Sequence, residues 1–290
     1  MHDTYALSLA PSSISWLTHS NQPKVLHGFD DVCNLINERR EILSIVNAEI
    51  RNGPFNLVIE EPVLFSERLD IESKVFIQDT QISLGDITIS FADAQTWNPM
   101  PKWDGLRKNK DKIIKQLSEC DLDTPSAIAS GYSTTTNLQS LISSLCSSII
   151  SQDLPTTRNT TSKLAGLGIG LTPAGDDFLM GAMYATWVVH PHGIAKKFTE
   201  QIANIAAPLT TSLSGAWLRS AAKGEAGELW HEFFDALIED KNMYLPMSKI
   251  LSVGETSGSD ALAGFLAVFS TYTSRGQKLR FFKELKTQGE

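Results

Sequence analysis

The chain has 290 residues, of which 42% are hydrophobic and 20% charged, and a formal net charge of -8. That length can bury a core in one large domain or two modest ones, and the composition is the usual one for a globular protein. The negative balance, with no run of lysine and arginine, argues against nucleic acid or an anionic membrane as partner. The first sixteen residues lack a basic stretch leading into a long apolar core. The longest apolar-rich stretch, residues 178–189, is far short of the roughly 20 needed to span a bilayer. Cys33, Cys120 and Cys146 are scattered, odd in number and without CxxC spacing. No disulfide framework or zinc knuckle is expected, and a reducing cytoplasm is the expected setting.

In chain order, short runs rich in β-branched and aromatic residues come first: FNLVIEEPVLF (55–65), KVFIQD (74–79), QISLG (81–85) and DITISF (86–91). Ile87, Ile89 and Phe91 alternate with Thr88 and Ser90, the pattern of a half-buried strand. Asn52-Gly53-Pro54 and Gly85-Asp86 read as turns. FDDVCNLINERREILSIV (29–46) is ambiguous, and part of it reads as helix. TWNPMPKWDG (96–105) reads as a hinge. Beyond it, LRKNKDKIIKQL, TTNLQSLISSLCSSIIS, IAKKFTEQIANIAA, LSGAWLRSAAKG, GELWHEFFDALIED and SDALAGFLAVFSTYTS carry apolar residues at i, i+3, i+4 spacing. The expectation is an α+β protein, with a β-rich domain over 1–100 and an all-helical domain over 101–290.

The helical half holds the stretch with most chemical content, GLGIGLTPAGDDFLMG (166–181). Thr172 is placed to N-cap a helix and Pro173 to open it. Asp176 and Asp177 then fall in the first turn, where the helix dipole favours negative charge. A plain loop and cap leaves Gly166, Gly168 and Gly170 unexplained. Glycines at alternate positions point to positive φ or to close approach of something to the backbone. A glycine loop ahead of a helix aims N–H groups at an anion. The run lacks the Gly-Lys-Ser/Thr ending of a Walker loop, and its spacing departs from GxGxxG. Neighbouring aspartates on a helix diverge by about 100°, so one can face the loop. That carboxylate suits an amide N–H or a metal-bound anion better than bare phosphate. GDDFLMG (175–181) is echoed by GSDALAG (258–264), which aligns Asp177 with Asp260 and leaves an internal duplication open.

The ligand-binding candidates fall into three groups: Gly168, Gly170, Thr172 and Gly175 in the first loop; Thr211, Ser212 and Ser214 at a helix start; and Ser257, Gly258 and Asp260 in the second loop. Asp176 and Asp177 are the catalytic candidates. The hydroxyls at 211–214 also suit helix capping, with Arg219 two turns on. HPHG (190–193) reads as a helix end rather than a metal cluster, and His231 as a packed or surface residue. No HExxH, GxSxG or Cys-His pair supports nucleophilic catalysis of the common kinds.

The run GLGIGLTPAGDD closely resembles the signature of the AllH-type family. The likeness extends to TTSLSGAWLRSAAKGE (210–225), to VGETSGSDALAGFLA (253–267), and to the order of a β-rich part before a helical part. The resemblance implies a subunit of an oxamate carbamoyltransferase that works with other subunits in allantoin breakdown. That reaction interconverts oxalurate and phosphate with oxamate and carbamoyl phosphate. The chain lacks the Ser-Thr-Arg-Thr-Arg-like phosphate loop of ordinary transcarbamylases, and PTTRNTT (155–161) only shadows it. Two other readings stand beside this one: a magnesium-dependent hydrolase using Asp176, Asp177 and Asp260 as ligands, and a non-catalytic subunit that binds a small anionic molecule.

Overall fold

The computed structural model describes residues 2–118 and 136–287. They form two compact units, Met1–Met100 with Glu225–His231, and Pro101–Gly224 with Glu232–Glu290. The first unit is β-rich and the second helical, which makes the protein α+β.

The first unit runs β1 (His2–Leu9), α1 (Pro11–His19), β2 (Lys24–Gly28), β3 (Val32–Ile36), β4 (Ile42–Asn47), β5 (Asn56–Ile59), α2 (Phe65–Arg68), β6 (Val75–Gln78), β7 (Gln81–Leu84), β8 (Ile87–Ser90) and β9 (Gln95–Thr96). Its sheet has the order β2-β3-β4-β5-β1-β8-β7-β6, with β9 added to β1. β1 joins the two halves. Residues 2–5 pair in parallel with β8, and beyond Ala6 the strand pairs antiparallel with β5. An irregularity between Ala6 and Ser8 marks the change, and such bulges bend a strand. The sheet curls into a nearly closed, barrel-like form. Its core is built from alternate residues such as Leu57 and Ile59, Ile82 and Leu84, and Ile87 and Ile89, all fully buried.

The ambiguous stretch 29–46 contains no helix. It is the β3–β4 hairpin, paired from Val32↔Val46 to Ile36↔Ile42. The charged Glu38-Arg39-Arg40-Glu41 lies in its turn. The Asn37 side chain accepts from the N–H groups of Arg39 and Glu41 at 3.0 and 2.9 Å, and Arg40 takes φ 60. Residues 225–231 complete the first unit. The Glu228 carboxylate accepts from the Asn52 N–H and Nδ2 at 3.1 and 2.7 Å and pairs with Arg51 at 3.2 Å. Cys33 and Cys146 are free and buried, and burial pushes both thiols up to about 12. Cys120 lies outside the described residues.

The second unit contains α3 (Trp103–Lys108), α4 (Lys110–Ser118), α5 (Thr136–Ser151), α6 (Leu154–Leu164), α7 (Ala174–Val189), α8 (His192–Ala206), α9 (Ser212–Lys223), α10 (Glu228–Glu239), α11 (Tyr244–Leu251) and α12 (Ser257–Thr287). The turn of α10 up to His231 groups with the first unit. α7 is the axis of this bundle: every residue in it except Ala174 and Met180 is buried. Trp187 on α7 anchors it by donating from Nε1 to the Ala221 carbonyl at 2.9 Å. No helix among the described residues is long and apolar enough to cross a membrane.

α7 crosses α12 with almost no side chain between them. A Cβ added to Gly181 would sit 1.7 Å from the Ala261 carbonyl oxygen, and one added to Gly264 2.0 Å from that of Phe178. Either helix would have to move to admit a methyl group. Gly181→Ala and Gly264→Ala should each lower the unfolding free energy by about 2–3 kcal/mol or more, measured by urea unfolding. A loss below ~0.5 kcal/mol would mean the crossing is looser than these distances.

Candidate functional site

The loop between α6 and α7 is built on left-handed backbone, with φ of 69°, 126° and 94° at Gly166, Gly168 and Gly170. The three glycines have different causes. A Cβ on Gly166 would lie 2.7 Å from the Leu209 carbonyl oxygen, and one on Gly168 2.8 Å from the Ala174 nitrogen. A Cβ on Gly170 would meet nothing within 4 Å. Gly175 is a packing glycine, its missing Cβ only 2.1 Å from the Leu164 oxygen. Thr172 does not cap α7. Pro173, with φ -56 and ψ 141, holds the N-cap position and brings no side-chain cap. A cap needs its hydroxyl turned back to the first-turn N–H groups, whereas the Thr172 hydroxyl lies 2.8 Å from that of Ser257.

The two adjacent aspartates have separate jobs, as their divergence on a helix requires. Asp176 is a pin. Its Oδ1 accepts from the Gly166 N–H at 2.9 Å, and its Oδ2 accepts from the hydroxyls of Thr210 and of Ser214, the latter at 2.9 Å. Burial raises its pKa, and these three bonds pull it back. Thr211 completes the join. It caps α9 by accepting from the Ser214 N–H at 3.0 Å, and its hydroxyl donates to the Leu171 carbonyl at 2.5 Å. Ser212 follows as the first residue of α9.

Asp177 faces the second loop. Its side chain is buried, and Oδ2 has no hydrogen-bond partner among the described residues. Burial pushes its pKa well above the ordinary carboxylate range. The Asp260 and Asp176 carboxylates push the same way, against the hydroxyls of Ser257 and Thr172. The structure thus gathers Thr172, Asp177, Ser257 and Asp260 into one cluster, with Asp260 fully buried.

The GDDFLMG and GSDALAG stretches are equivalent in space as well as in letters. After α6, the Leu167 N–H donates to the Leu164 oxygen at 3.0 Å and the Gly175 N–H to the Leu167 oxygen at 2.8 Å. In and after α11, the Val253 N–H donates to the Ile250 oxygen at 3.0 Å and the Gly258 N–H to the Val253 oxygen at 3.1 Å. A Cβ on Gly258 would sit 1.7 Å from the Ile250 oxygen, matching Gly175 against Leu164. Gly168 and Gly254 are the left-handed residues that follow Leu167 and Val253. Phe178 and Gly181 on one helix meet Gly264 and Ala261 on the other, at the same offsets. Leu167 and Gly175 are eight positions apart and Val253 and Gly258 five. The first loop therefore carries three extra residues.

That extension is the exposed part of the loop. Ile169 is 94% exposed. Among the described residues, the N–H groups of Gly168, Ile169, Gly170, Leu171 and Thr172 donate to no protein acceptor. Successive N–H groups left open on a turn are the kind of backbone that can hold an anion.

Magnesium does not fit the proposed carboxylate triad. Both Asp176 oxygens are committed to protein donors. Among the described residues, no group of three or more His, Cys, Asp or Glu side chains could hold a metal ion. HPHG is a helix junction, with His190 buried and its Nε2 3.0 Å from the Ile149 carbonyl. His231 packs against Trp97 at 5.0 Å between ring centroids.

Residues 164–269 match the family model described as oxamate carbamoyltransferase subunit AllH, and residues 5–96 match that of the AllH family N-terminal domain. The chain belongs to the AllH family. No solved structure matches it.

Two outcomes test this geometry. Gly168→Ala combines a positive φ with a backbone clash and should cost about 2–3 kcal/mol of stability, against about 1 kcal/mol for Gly170→Ala, where only φ resists. Equal losses in thermal melts would contradict the distinction. The second test concerns pH. An unfolded aspartate titrates near ~3.9, whereas native Asp177 holds its proton to higher pH. The native state therefore binds more protons between those two values, and stability falls as pH rises through that window. Asp177→Asn removes this loss, so its unfolding free energy in urea should gain on that of the wild type from about pH 4 upward. A difference independent of pH would show that Asp177 ionises normally.

Proposed function

We propose that the chain acts as a subunit of an oxamate carbamoyltransferase, and that the glycine loop with Asp177 holds a small anionic amide or phosphate group of its substrates. The observation that carries this reading is the run of N–H groups from Gly168 to Thr172 without protein acceptors, set beside a buried carboxyl that has an unused oxygen. In the reaction, a phosphate oxygen bonds to the ureido carbon of oxalurate and the carbon–nitrogen bond breaks. Oxamate nitrogen takes up a proton, and carbamoyl phosphate is left. Reactants and products all combine anionic oxygens with amide N–H groups. Backbone donors suit the first, and a carboxyl acceptor the second.

Burial of Asp177 removes a difficulty in this scheme. An ionised carboxylate beside bound phosphate would repel it, but burial favours the neutral acid, which can donate a hydrogen bond instead. Asp177 is the residue we place on the ligand, with Thr172 and Ser257 orienting it. Asp176, Thr210, Thr211 and Ser214 position the loop. Gly175 and Gly258 serve packing. The buried free cysteines and the family's metabolic role support a cytoplasmic setting.

Calorimetry of the assembled enzyme against oxamate, oxalurate and carbamoyl phosphate tests this reading. Asp177→Asn should weaken binding of at least one of them by roughly 0.5–1.5 kcal/mol, the scale of a hydrogen bond between neutral groups. Its neutral-pH stability should stay level or rise. Unchanged affinity for all three would remove Asp177 from the site.

A further inference from the structure

The second loop shows what this helix–loop–helix arrangement needs in order to fold, because it makes the same close contacts with three residues fewer. What the first loop adds is surplus to the fold. The added segment, around Ile169 and Gly170, bears an isoleucine exposed to 94% and a left-handed glycine on which a Cβ would meet nothing within 4 Å. A nearly bare isoleucine held out on glycines gives this unit no core contact.

The same end of the unit is unbalanced in charge. Segments 164–182, 207–218 and 250–260, which build it, contain Asp176, Asp177, Glu255 and Asp260 but no lysine or arginine. Arg219 follows on α9 with its Nη2 close to Gly215, yet among the described residues no cationic side chain lowers the pKa of Asp176 or Asp177. Cationic side chains strengthen the hold on an anion with the charge of a phosphate beyond what backbone amides supply. Backbone amides beside acidic side chains are half of such a site.

We propose that the extension at Ile169 is a docking knob for another subunit of the enzyme. That subunit receives Ile169 in an apolar pocket and brings arginine or lysine to the amides of Gly168–Thr172. The substrate site is then composite, with this chain supplying the amide loop and Asp177 and its partner supplying the positive charge. This rests on the subunit reading above and adds where the contact lies and what it must carry.

The test is co-expression with the other subunits of the oxamate carbamoyltransferase, using wild type, Ile169→Asp and Ile169→Ser. Both variants should melt within a few degrees of wild type, since the side chain is exposed. Sedimentation should show assembly weakened at least tenfold for Ile169→Asp and less for Ile169→Ser. Carbamoyl phosphate should bind the wild-type assembly at least tenfold more tightly than the isolated chain. The proposal is overturned if Ile169→Asp assembles normally, or if the isolated chain binds carbamoyl phosphate as tightly as the assembly. It is equally overturned if the substitution only splits a homodimer, which would make a second copy the occupant. A wild-type chain that fails to assemble with those subunits at all would sink the subunit reading, and this inference with it.

Discussion

Two helices that touch backbone to backbone set the geometry around the glycine loop. Because Gly181 faces Ala261 and Gly264 faces Phe178, α7 and α12 share one register relative to each other. Sliding either helix by a residue would drive a side chain into a carbonyl. That fixed register brings Asp177 and Asp260, each four positions before a crossing glycine, to the same level of the bundle. It also brings Thr172 and Ser257 within hydrogen-bonding distance across 85 residues of sequence. The hydroxyl–carboxyl cluster thus depends on a packing constraint made a full turn away.

Within that frame, adjacent residues of like charge are treated in opposite ways. Asp176 has three donors arranged around it, and the bonds tie the loop, α7 and the start of α9 into one piece. Asp177 has two hydroxyls and two unfavourable carboxylates, and one of its oxygens is left over. A buried carboxyl in that state weakens the fold at neutral pH. An asparagine would fit the same space without the penalty. A site where stability is given up for a group of particular chemistry is the common signature of function in an otherwise well-packed core.

Much of this was legible in the sequence, and the failures have physical causes. The switch from period-two to helical patterning near residue 100 located the β-rich and helical parts, because alternation at Ile87 and Ile89 and i, i+3, i+4 spacing in 194–207 are direct consequences of burial. The 29–46 hairpin stayed ambiguous since its strands are largely buried on both faces and so lack alternation, and its turn carries four charges. Thr172-Pro173 has the letters of a cap, but a partner 85 positions away took the hydroxyl. The positive φ expected of the alternate glycines is present at Gly166, Gly168 and Gly170. Only the distances separate Gly168 and Gly175, which the fold demands, from Gly170, which it does not. The echo between 175–181 and 258–264 pointed to the shared device, while the three-residue difference in loop length had meaning only once the two loops could be matched contact for contact.

The first unit's dependence on residues 225–231 bears on how the chain is made. Glu228 supplies acceptors to Asn52 and a counter-ion to Arg51, so this unit is not finished when its last strand is. On a ribosome, the sheet residues emerge long before the carboxylate that ties down the 51–52 corner, with most of the helical residues synthesised in between. A single cut after residue 100 would strand that corner permanently. The N-terminal part of this protein is therefore contiguous in pattern but not in folding, and its completion waits for the helical part to pass residue 228.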